Sequence, residues 1–95
     1  MTKRALLMND KDNVVTVIDA VDAGDEVAIG RKDGTAVGTL VALEPAERYH
    51  KLAFVDIAAD ELITKYGQTM GRATKNITRG SYVHVHNIES VKTND

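Results

Sequence analysis

Cysteine is absent from the chain, proline and phenylalanine occur once each, and no long apolar run is present. Without cysteine there can be no disulfide framework, no thiolate nucleophile and no zinc-finger set, and a reducing, intracellular setting fits. The start Met1-Thr2-Lys3-Arg4 is basic, but the apolar stretch behind it, Ala5-Leu6-Leu7-Met8, is too short for a signal sequence. Nothing approaches the ~20 consecutive apolar residues of a membrane span. A soluble, cytoplasmic protein is the expectation. A strong charge is missing too: 12 Lys and Arg stand against 14 Asp and Glu, a formal net charge of −2. The basic residues are scattered and few aromatic rings are available for base stacking, which argues against nucleic acid as a partner. A single Lys or Arg in a cleft can still receive a small anion.

The 95 residues fit one domain over 1–95, with an ordered core over about 4–90 and a frayed polar tail at 91–95. Glycines and short β-branched runs predict a mainly β chain of strands joined by tight turns. Asn13 to Ile18 and Lys51 to Val55 read as strands. Val27 to Lys32 and Thr35 to Leu40 flank Asp33-Gly34, which predicts a two-residue hairpin. A short helix is allowed around Pro45 to Tyr49, because proline is accepted in a first turn. One pattern recurs. Ala20 to Val27, Asp56 to Ile63 and Asn76 to Val83 each run from an apolar anchor through a turn residue to an apolar strand start. Gly24, Asp60 and Gly80 hold the turn position, where a positive φ is expected. Three similar turns feeding strands imply a compact, irregular β fold.

The sharpest chemical feature is Tyr82-Val83-His84-Val85-His86-Asn87. In an extended strand, residues i and i+2 share a face, roughly 6.6–6.8 Å apart. Tyr82, His84 and His86 would then line one face while Val83 and Val85 turn inward. Two imidazoles so placed can bind a divalent metal, hold a carboxylate or act as an acid–base pair, and they can equally be the solvent side of a strand. Two ligands are too few for a tight metal site. His50, in Arg48-Tyr49-His50-Lys51, lies in a cluster suited to an anion or to ordinary loop surface. The segment Lys65-Tyr66-Gly67-Gln68, with Gly71-Arg72, offers glycines for close approach and two cations, or simply a turn between strands. Ser81 and Ser90 are the only serines and neither sits in a nucleophile-elbow context, which argues against an autonomous hydrolase.

Taken in order, His50 to Ile57, Ile63 to Gln68, Met70 to Thr74 and Gly80 to Asn87 resemble the small domain of the altronate and galactarate dehydratase family. Asp60 and Met70 depart from the family's pattern without touching its polar motifs. The resemblance implies a β-clip fold of the SAF group, with short hairpins and at most one or two helical turns. It also implies the small subunit of a two-part lyase, working with a large catalytic subunit on an anionic hydroxy acid. A similar small subunit occurs in sulfolactate sulfo-lyase, which expels sulfite rather than water. The residues expected at the site are then His84 and His86 as catalytic groups or metal ligands. His50, Lys65, Arg72 and Asn87 would receive the substrate. The implied cofactor is a divalent metal, iron(II) in the family, held mainly by the larger chain. A non-catalytic binding module built on the same surface is the alternative, and a homo-oligomer is compatible with either.

Overall fold

The computed structural model describes residues 2–90, so the expectation of a frayed tail at 91–95 falls outside the described residues. Nine strands and no helix are found among them. They are β1 (Lys3–Leu6), β2 (Val14–Val17), β3 (Glu26–Gly30), β4 (Ala36–Val41), β5 (Lys51–Ala53), β6 (Leu62–Lys65), β7 (Gln68–Ala73), β8 (Tyr82–Val83) and β9 (Ile88–Glu89). Six form one sheet in the order β4-β3-β1-β2-β5-β8, and three form a second in the order β6-β7-β9. Only β1 and β3 run parallel; the other pairs are antiparallel. The mainly β expectation holds.

Alternation along β2 shows where the core lies. All four of its residues are buried, which a strand with one wet face would not allow. Val15 and Val17 enter one apolar cluster with Leu7, Val27, Leu40 and Leu52. Val14 enters a second with Ala53, Ile57, Ile63, Ile77 and Val83. β2 and its neighbour β5 are thus the wall between two small cores. Each fully buried Val, Leu or Ile contributes roughly 1.5–3 kcal/mol.

The recurring turn is present four times, not three. The segments Val21–Asp25, Ala46–His50, Ile57–Glu61 and Ile77–Ser81 each close with the last N–H donating to the carbonyl three residues earlier, at 2.9–3.1 Å. Their fourth residues, Gly24, Tyr49, Asp60 and Gly80, all have positive φ, at 93°, 71°, 74° and 91°. The turns associate in reciprocal pairs. Val21 bridges Ala46, and Ile57 bridges Ile77. Gly24 N–H donates to the Ala42 carbonyl while Tyr49 N–H donates to that of Val17, both at 2.7 Å. Asp60 N–H donates to Ala73 and Gly80 N–H to Ala53, both at 2.8 Å. In every case the accepting residue lies four positions before an apolar anchor and is completely buried. Three of these four are alanine and the other is Val17. The Ala46–His50 turn escapes the sequence pattern because Tyr49 occupies its left-handed position, at a cost of ~1–2 kcal/mol that glycine would avoid.

Two local expectations need correction. No helix forms at Pro45 to Tyr49; that segment is the second of these turns, its backbone bonded to Val21 and Val17. The β3–β4 hairpin is made, but around the three residues Lys32, Asp33 and Gly34, since Arg31 N–H donates to the Thr35 carbonyl at 2.8 Å. Only Gly34 has positive φ there. Asp33 instead turns its carboxylate to the Thr35 N–H at 2.9 Å. The tight two-residue turn lies at Tyr66-Gly67, both with positive φ. Buried Asp12 accepts both of their N–H groups at 2.9 Å, fastening the second sheet to the N-terminal half. The apolar start Ala5 to Met8 has its own use as well: Ala5 and Leu7 are buried, and β1 ends at Leu6.

Candidate functional site

β5 and β8 pair antiparallel with Lys51 opposite Val83 and Leu52 opposite Tyr82. One further step of that register sets His50 across from His84. Their rings stack at 5.4 Å between centroids. Tyr82 joins them, its ring 5.8 Å from His50 and 5.4 Å from His84. The Tyr82 hydroxyl and His50 Nδ1 share a hydrogen bond of 2.5 Å. His86 lies against Tyr82 as well, at 5.6 Å. All three histidines of the chain therefore gather on one tyrosine.

The strand expected through Asn87 stops at Val83. From His84 the chain turns, with Asn87 N–H donating to the His84 carbonyl at 3.1 Å. The Asn87 side chain fixes this turn: its Nδ2 donates to the Tyr82 carbonyl at 2.7 Å, and its Oδ1 accepts the His84 N–H at 3.0 Å. Val83 is fully buried as expected, but Val85 stands 77% exposed at the tip between the two histidines. Simple alternation failed because the amide offered the backbone a local alternative to strand pairing. His86 reaches Tyr82 around the turn, not along a strand. Asn87 is only 3% exposed, and both ends of its amide are engaged. It shapes the site, and it also lines the cleft before His86, where the second N–H of its amide makes no hydrogen bond among the described residues.

Lys65 and Arg72 stand on the second sheet. The Lys65 ammonium lies 5.4 Å from the Tyr66 ring centre, and Arg72 donates from Nε and Nη2 to Glu89 at 3.0 and 2.7 Å. The ion pair with Glu89 also holds the guanidinium's pKa above its ordinary value. Neither residue lines the two clefts that flank the aromatic stack. One cleft, of about 410 Å³, lies before His50 and Tyr82 and carries Asp22 and Glu47. The other, of about 250 Å³, lies before His86, between Glu44 and the turn Ile77–Ser81. Tyr82 was named with the histidine face, but its role as the common platform for the imidazoles depends on His50, thirty-two positions earlier. Lys51, half-buried beside these groups, has its pKa lowered by burial and then by the nearby Lys65 charge.

The metal expectation can be set against this geometry. No group of three or more His, Cys, Asp or Glu among the described residues is arranged to hold an ion. The imidazoles of His50 and His84 present faces to each other, whereas a metal binds in the ring plane at nitrogen. The described residues of this chain do not build a metal centre by themselves.

A small, mainly β domain with a histidine–tyrosine stack at a sheet edge is thus the class of protein defined here. The sequence matches the altronate/galactarate dehydratase SAF domain over residues 3–91, and the chain belongs to that family. It is 31% identical over 86 residues to the (2R)-sulfolactate sulfo-lyase subunit alpha of Chromohalobacter salexigens, covering 88% of this chain and 92% of that one. It is 33% identical over 76 residues to altronate dehydratase of Escherichia coli, of which it spans 14%. The galactarate dehydratase of the same organism is also 33% identical over 76 residues, and the chain spans 13% of it. In the dehydratases, then, this domain is a small part of a much larger protein.

Proposed function

We propose that this chain is the small subunit of a two-part lyase and that its histidine stack forms one wall of an active site completed by a larger chain. The carrying observation is the presentation of His84, Val85 and His86 on a turn held by Asn87 beside two open clefts. Val85 stands exposed between the two histidines, where a partner chain laid on the turn would cover it. The family, and the small share of each dehydratase that this domain spans, support the same reading.

The reaction is elimination of water from a sugar acid such as altronate or galactarate. One imidazole removes the proton beside the carboxylate, and the C–H electron pair becomes the new carbon–carbon double bond. The C–O bond at the neighbouring carbon breaks, and its hydroxyl leaves as water after accepting a proton. The resulting enol tautomerises to a 2-keto-3-deoxy acid. His84 and His86 are the acid–base pair, and the Tyr82 hydroxyl orients His50 beside them. A divalent metal such as iron(II) would be held by the larger chain and would supply Lewis-acid stabilisation of the developing negative charge. The setting is cytoplasmic.

The second reading, sulfite elimination from sulfolactate, is favoured by the near-complete coverage of the sulfo-lyase subunit alpha. Affinity purification of the tagged chain from its native cells tests the subunit claim. Co-purification of one large lyase chain is expected, with activity only in the mixture. Elimination by the isolated chain supplied with iron(II) would contradict it.

A further inference from the structure

Resting on that functional reading, the geometry points to the cleft before His86 as the receptor for the hydroxylated acid, with Lys75 as the anchor for its carboxylate. This cleft combines one ammonium, two hydroxyls, two amides and an imidazole within about 250 Å³. Lys75 makes no ion pair among the described residues, whereas Arg4, Arg31 and Arg72 are engaged by Asp19, Asp10 and Glu89. The hydroxyls of Thr78 and Ser81 make no side-chain hydrogen bond among the described residues, although their backbones close the Ile77–Ser81 turn at 2.9 Å. Asn76 spends its Oδ1 on the Ala59 N–H at 2.9 Å, which leaves Nδ2 as a donor. The one carboxylate in the lining, Glu44, accepts the Tyr82 N–H at 3.0 Å. An ammonium beside several neutral donors and acceptors is what a polyhydroxylated carboxylate requires: charge for one end and paired polar groups for the rest.

The other clefts lack this combination. The one before His50 carries Asp22 and Glu47 and no cation, so it repels an acid. The one at Lys3, Arg4 and Arg48 is cationic, but Arg4 is bound to Asp19 and no histidine lines it. The cleft before His86 is smaller than the ~300–1,000 Å³ of a complete ligand pocket, as suits a site closed by a second chain. Lys75 therefore takes the role first expected of Lys65 and Arg72.

Steady-state kinetics of the assembled two-chain lyase, with altronate, galactarate and (2R)-sulfolactate as probes, test this. Lys75→Gln should raise KM by roughly ten-fold or more, the worth of a hydrogen bond to a charged group, with kcat little changed. Lys65→Gln should leave both unaltered. An unchanged KM in Lys75→Gln, or a larger effect from Lys65→Gln, overturns the anchor while leaving the lyase reading intact. If the wild-type assembly eliminates nothing from any of the three acids, the lyase reading fails instead. The anchor is then judged by nuclear magnetic resonance titration of the free chain with galactarate. Shifts at Asn76 to Ser81 and His86 that vanish in Lys75→Gln support it; their absence, or shifts centred on Lys65, overturns it.

Discussion

The four turns share one backbone but divide into two kinds by the side chain that follows the left-handed residue. In Val21–Asp25 and Ile57–Glu61 that side chain is a carboxylate folded back on its own turn. Asp25 accepts the Asp22 N–H at 2.8 Å, and Glu61 accepts the Ala58 N–H at 3.0 Å. In Ala46–His50 and Ile77–Ser81 the corresponding residues are His50 and Ser81, which give their own turns no cap; in the latter turn Asp56 accepts the Arg79 N–H at 2.8 Å instead. His50 is bonded to Tyr82 instead, and Ser81 lines the cleft before His86. Each reciprocal pair thus joins one self-capped turn to one whose final side chain faces the site. All four turns share the backbone bonds to Val17, Ala42, Ala53 and Ala73, and a final side chain that does not cap its own turn is released to face the site.

The largest expected effect separates the two glycines. At Gly80 an added Cβ would run into the Val41 carbonyl, and the φ of 91° is unfavourable as well. At Gly24 the φ is 93° but the space is open. Gly80→Ala should cost about 3 kcal/mol or more, and Gly24→Ala about 1 kcal/mol, measured by urea unfolding. Equal losses would mean that the Ile77–Ser81 turn is no more closely packed than the self-capped one. Next come the caps. Asp25→Ala and Glu61→Ala should each lose about 1 kcal/mol, the usual worth of a side-chain bond to a free N–H. His50→Ala and Ser81→Ala should lose less stability, and His50→Ala should instead slow the assembled lyase. If all four variants lost the same stability, the division into two kinds would collapse.

The smallest effect is at Lys51, the first strand residue after the His50 turn. Burial lowers its folded pKa, so the folded state releases this proton more readily than the unfolded one. The resulting penalty is fully present below the folded pKa. It is relieved as pH rises through that value into the ordinary lysine range. Lys51→Met should therefore gain slightly over the wild type at neutral pH, and that gain should vanish in strong alkali. A pH-independent difference between their urea midpoints would assign the effect to packing alone.

Much of the scaffold was legible because local chemistry agreed with the fold. Gly24 and Gly80 sat where only glycine is unstrained, and Asp60 is among the few other residue types that tolerate that conformation. Tyr49 has no such preference, and the Ala46–His50 turn was hidden for that reason. At the site, His50, His84 and His86 were all visible as candidates, but their gathering on Tyr82 depends on the β5–β8 register. The end of β8 was misread because the Asn87 amide outcompetes strand pairing, a bond that valine alternation does not disclose. Lys75 has no motif of its own, and its cleft closes only when Glu44 is brought against residues 75–78, 81 and 86–87.

The central claim is that the histidine stack of this small chain completes the active site of a larger one. Its most direct test compares the assembled lyase containing wild-type chain with that containing the double substitution His84→Ala and His86→Ala. Product is followed from altronate, galactarate and (2R)-sulfolactate. Loss of general acid–base catalysis should slow elimination by about 10²–10⁴-fold. The urea midpoint of the small chain and its binding to the larger one should stay close to wild type. Full activity in the double variant, or full activity of the large chain alone, would contradict the account.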